Sequence, residues 1–139
     1  MSSILISPRF LPRVMWLDAA SCLATGAVQC GATAPLSALT GLPPALLGST
    51  GLFLLIYAAA AAWMAGRAAP PRGLIGLVVA GNVGWAIACL GLLFSGRVQP
   101  TVAGEAWVGL QVMVVLALAA AQWAGLRATS QRRGSMLQA

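Results

Sequence analysis

Gly73 to Ser95 reads GLIGLVVAGNVGWAIACLGLLFS, flanked by Arg72 and Arg97, with no charged residue between them. An apolar run of this kind matches the roughly 20 residues that a helix needs to cross the hydrocarbon core of a bilayer. In lipid, a helix satisfies its own backbone hydrogen bonds within one segment. Similar runs lie on either side of it. One extends from about Val14 to Ala34 after Arg9 and Arg13, one from about Pro44 to Gly66 before Arg67, and one from about Ala103 to Leu126 before Arg127. The pattern predicts an all-α transmembrane four-helix bundle, with spans near 14–34, 44–66, 73–95 and 103–126 in a single domain over 1–139 and a C-terminal tail over 127–139.

The composition supports this. Of the 139 residues, 60% are hydrophobic and 7% charged, and the mean hydropathy is +0.89. A soluble domain carries about 25% charged residues, and a chain this short leaves much of its surface exposed. A soluble fold and intrinsic disorder are both excluded.

Pro43 and Pro44 suit a helix start, and Pro70 and Pro71 break any helix running from the second span into the third. The linker Ala68 to Pro71 is so short that these two spans are expected to be antiparallel neighbours. Asp18 interrupts the apolar stretch after Val14 to Leu17, too early for a signal-peptide core, so the first span reads as retained.

Seven of the eight arginines fall at the N-terminal end, in the second loop or in the tail, and Arg97 alone falls opposite. The positive-inside rule then puts both termini in the cytoplasm of a bacterial inner membrane. Trp16, Trp63 and Trp123 mark that side and Trp107 the other, as an aromatic belt requires. The arginines form no basic stripe with interleaved aromatics, so the net charge of +6 is read as a topology signal and not as a nucleic-acid surface.

Several chemistries lack their residues. There is no histidine for haem, zinc or copper and no lysine for a Schiff base. Cys22, Cys30 and Cys89 form no C-x-x-C pair. Cys22 and Cys30 stand about 12 Å apart along a helix, beyond disulfide reach, and read as small apolar fillers. No nucleophile–base pair or metal set is visible, so the chain is expected not to be an enzyme. No cofactor is evident. A lipid, quinone or carotenoid held without a metal ligand stays compatible with the sequence.

Small residues recur at packing intervals: Gly76, Ala80, Gly84 and Ala88 on the third span, Ala117, Ala121 and Gly125 on the fourth, and Cys22, Gly26 and Cys30 on the first. Polar residues recur too. Asp18, Cys22, Thr25 and Gln29 form one stripe, Asn82, Trp85 and Cys89 share a face, Thr50 and Tyr57 lie a heptad apart, and Gln111 sits on the fourth span. Counting 1.5 Å per residue brings Tyr57 level with Asn82 and Gln29 level with Gln111. Asp18 falls about 8 Å inward of Arg13, where Arg67 or Arg72 can reach it by snorkelling.

The candidate intramembrane residues are therefore Asp18, Thr25, Gln29, Tyr57, Asn82 and Gln111. They serve either as interhelical hydrogen bonds or as a polar pathway with Asp18 as a proton or cation site. The loop Pro35 to Pro43 is uncharged, with Leu36, Leu39 and Leu42 every third residue. It reads as a short interfacial helix, a docking surface, or an ordinary turn after a long first helix.

Ser7 to Gly26, SPRFLPRVMWLDAASCLATG, together with Gly81-Asn82-Val83-Gly84-Trp85, resembles a group of small bacterial four-span membrane proteins of unknown function. The resemblance covers most of the chain and implies a fold and a compartment but no activity. Small multidrug exporters also place an acid in the first of four spans, but deeper than Asp18, and the arginine bias here opposes dual topology. Fluoride channels place a glycine three residues after an asparagine, whereas Gly84 follows Asn82 by two. No residue is carried over from either family.

The expected function is a structural or accessory subunit of a larger bacterial inner-membrane complex, respiratory or photosynthetic. Its partners would be the bilayer and either other membrane subunits or further copies of itself. The alternative is a small oligomeric transporter or channel built on Asp18 and Asn82.

Overall fold

The computed structural model describes residue 7, residues 9–67 and residues 71–136. The expected break at Pro70, most of the linker from Ala68, and the last residues of the tail lie outside them, as do the side chains of Arg132 and Arg133. The described residues are helical, with no strand among them. Four long helices, α1 (Phe10–Gly31), α3 (Pro44–Ala65), α4 (Arg72–Phe94) and α5 (Val102–Met136), are joined by one short helix, α2 (Thr33–Thr40), inserted after the first.

Three of these are long and apolar enough to cross a membrane: Pro44–Ala65, Arg72–Phe94 and Val102–Ala128. α1 has the length but is not among them. Arg13, Asp18 and Gln29 interrupt its apolar run.

α1 ends earlier than the sequence suggests, at Gly31 instead of near Ala34. Pro35 supplies no N–H and its ring collides with the carbonyl four residues back, so one helix cannot run through. The chain turns at Ala32 and restarts as α2, which buries Leu36 and leaves Leu39 exposed. α2 stops at Gly41, whose φ of 70° needs a residue without a side chain. A Cβ at Gly41 would also meet the Gln99 carbonyl at 2.8 Å.

There the end of α2 is stitched to the start of α5. Thr101 donates its N–H to the Thr40 carbonyl (2.9 Å) and its hydroxyl to the Leu39 carbonyl (2.6 Å). The Thr101 hydroxyl also accepts from the Gly104 N–H (3.2 Å) and so caps α5. Gly104 is packed so closely on Thr40 that no side chain fits.

The helices pack as two pairs, α1 on α3 and α4 on α5, joined mainly where α1 meets α5. The α1–α3 crossing is tight because glycine faces glycine. A Cβ on Gly26 would lie 2.8 Å from the Gly51 carbonyl, and one on Gly51 would lie 2.8 Å from Cys30 Sγ and Gln29 Cβ.

The short linker does not make α3 and α4 close neighbours along their length. They touch through side chains, Ala61, Met64 and Ala65 with Ile75 and Val78, and further along through Phe53 stacked on Trp85 at 5.5 Å. Large rings hold that seam apart. The row Gly76, Ala80, Gly84 and Ala88 was expected to pack inward. Instead it faces outward, and nothing approaches Gly76 or Gly84 within 4 Å. The inward face of α4 is Ile75, Val78, Asn82 and Ala86.

Candidate functional site

The four long helices meet around Asp18, which is fully buried. Each of the other three sends one side chain to its carboxylate. The Tyr57 hydroxyl of α3 donates to Oδ2 (2.9 Å), as do the Asn82 amide of α4 (3.2 Å) and the Gln122 amide of α5 (2.6 Å). Cys22, one turn further along α1, directs its thiol at Oδ1 (3.6 Å). Asn82 also donates to the Gln122 carbonyl oxygen (3.2 Å), and Gln122 reaches Met15 Sδ (3.5 Å).

All these donors are uncharged. A buried carboxylate is costly unless its lone pairs are met, and here hydrogen bonds from four helices do that work. Amide and hydroxyl donors to a charged acceptor form the stronger class of hydrogen bond.

This arrangement corrects the expectation that Asp18 pairs with an arginine. Arg67 lies over the Trp63 ring, 4.4 Å from its centroid. Arg72 donates to the Leu126 carbonyl (2.7 Å) and to the Ser130 hydroxyl. Tyr57 stands level with Asp18, and Arg67 lies about 15 Å further along the chain direction, too far to snorkel back. Arg127 covers Trp123 at 4.9 Å, so arginine and tryptophan pair at the end that carries Leu11, Met64 and Leu126.

The other candidate residues lie apart from Asp18. Gln29 is 2% exposed, and its carboxamide oxygen lies 3.1 Å from the Thr50 hydroxyl. The other end of that carboxamide has no partner among the described residues. Gln29 and Gln111 border the same cavity, of about 190 Å³, between the helices at the α2 end. Gln111 and the half-buried Thr25 border a second cavity of about 230 Å³. Trp85 and Trp107 belong to the walls of both. The Trp107 indole nitrogen is buried without an acceptor among the described residues.

Tyr57 and Asn82 were matched correctly by depth. Gln122 was missed, and so was the role of Cys22 as a donor. The signal for Gln122 was present: it follows Gln111 by three helical turns on the same face, at the depth of Asp18. Among the described residues, no group of histidine, cysteine and acidic side chains has the makings of a metal site. Comparison with known proteins adds no family to this geometry, since no family model, curated protein or solved structure matches the chain.

Proposed function

We propose that this chain is a structural or accessory subunit of a larger bacterial inner-membrane complex, crossing the membrane four times with both termini in the cytoplasm. The observation that carries the reading is the outward face of α4. Ala80, Gly84 and Ala88 are exposed there and Gly76 is partly so, and Leu77 and Ile87 beside them are 68% and 65% exposed. Lipid tails gain little from a row of small residues, whereas a second helix gains close backbone approach.

The inward polar groups add to this reading. The Asp18 carboxylate is occupied by the chain's own donors, which suits a pin between helices better than a carrier site. α1 joins the three apolar helices as a fourth span because its acid finds those donors inside the packing. The arginine–tryptophan pairs at one end suit the cytoplasmic interface.

The test is gentle extraction of the native membrane, native electrophoresis, and mass spectrometry of the band that holds the chain. Migration with larger subunits at fixed stoichiometry is expected, and Gly84→Leu should release the chain from them. Migration alone would overturn the reading.

A second reading, a small oligomeric transporter, is favoured by one observation: Asp18 is buried with no cationic partner among the described residues. In that case wild-type protein in liposomes would carry a proton-coupled flux that Asp18→Asn abolishes.

A further inference from the structure

The two cavities contrast with the Asp18 carboxylate, because polar atoms of Trp107, Gln111 and Gln29 on their walls have no partner among the described residues. Buried indole N–H groups in native proteins have an acceptor, and the one at Trp107 has none among the described residues. Gln29 is almost fully buried with half its carboxamide unpaired, and Gln111 reaches both cavities without a hydrogen bond among the described residues. Beyond the hydroxyls of Thr50, Ser21 and Thr25 and the thiols of Cys22 and Cys89, the remaining walls are apolar, and no residue bordering either cavity is charged. An anionic or cationic headgroup would therefore find no counter-charge there.

A neutral oxygen acceptor on an otherwise apolar body fits these walls. Trp85 and Trp107 face both cavities and offer flat surfaces for a flat ring. The second cavity has a way out: Leu110 and Val114 on its rim are 60% and 36% exposed, so a tail leaves sideways between α1 and α5.

We propose that this pair of cavities is a binding site for a tailed quinone, with a ring carbonyl oxygen among Trp107, Gln111 and Gln29. The assignment concerns binding alone and does not depend on the accessory-subunit reading.

The test uses the full chain in detergent micelles, with native mass spectrometry to count adducts of decylubiquinone and of decylbenzene, which keeps the tail and ring but has no carbonyl. A saturable one-to-one adduct with decylubiquinone is expected, at least about tenfold tighter than with decylbenzene, the difference one hydrogen bond supplies. Trp107→Phe keeps an aromatic ring and removes the N–H, and should weaken decylubiquinone binding by a similar factor. Gln111→Leu is the second variant, at a half-buried position where the fold is least at risk. Cys22 staying closed to thiol reagents verifies that each variant is folded. Equal binding of the two probes, binding unchanged in both variants, or a co-purified diacyl lipid that decylubiquinone does not displace would overturn the assignment.

Discussion

The middle of the molecule and its α2 end treat polar groups in opposite ways. Around Asp18 one carboxylate gathers a hydroxyl, two amides and a thiol from four helices. Towards α2, the Trp107 indole, Gln111 and part of Gln29 border open volume without partners among the described residues. Side-chain size helps explain the difference. On the arginine-rich side of Asp18 the core includes alanine and methionine, with Met15 and Ala61 fully buried. Towards α2 the rings of Phe53, Trp85 and Trp107 hold helices apart. A satisfied buried network specifies one packing, and an unsatisfied one leaves room for a guest.

The comparison makes Gln122→Leu the most damaging of four substitutions. It removes the shortest hydrogen bond to a buried carboxylate and should cost about 3 kcal/mol in reversible unfolding from detergent. A loss as small as that of an exposed site would mean that the Asp18 cluster contributes little to stability. Gly51→Val comes next. Its side chain has nowhere to go against Gln29 and Cys30, and overpacking should cost about 2 kcal/mol in the same titration. Tyr57→Phe keeps the ring and deletes one of three oxygen or nitrogen donors to Oδ2, for about 1 kcal/mol. It should also speed thiol labelling of the buried Cys22. Gln111→Leu should change stability by less than about 0.5 kcal/mol, since it breaks no hydrogen bond among the described residues. A large loss there would erase the contrast between the two regions.

Much of this was legible beforehand. Apolar runs and prolines located the long helices, and depth counting brought Tyr57 and Asn82 together. What escaped followed from side-chain shape and not from pattern. Linker length made α3 and α4 neighbours in sequence, but Phe53 and Trp85 set their separation. The glycine–alanine row on α4 has the spacing of a packing face. Yet spacing does not say which side of a helix is turned inward, and Asn82 with Ile75 and Val78 claimed that side. Arg67 and Arg72 seemed suited to Asp18 by charge, while Gln122, an uncharged residue late in an apolar run, proved its nearest partner.

The position of Asp18 in the chain has a consequence for biosynthesis. Its partners Tyr57, Asn82 and Gln122 lie 39, 64 and 104 residues downstream. A ribosome therefore delivers the acid long before any of these donors exists, on the one long helix that is not apolar enough by itself to qualify as a span. α1 thus leaves the ribosome well before its hydrogen bonding can be completed, and Gln122 must arrive before the carboxylate is fully enclosed.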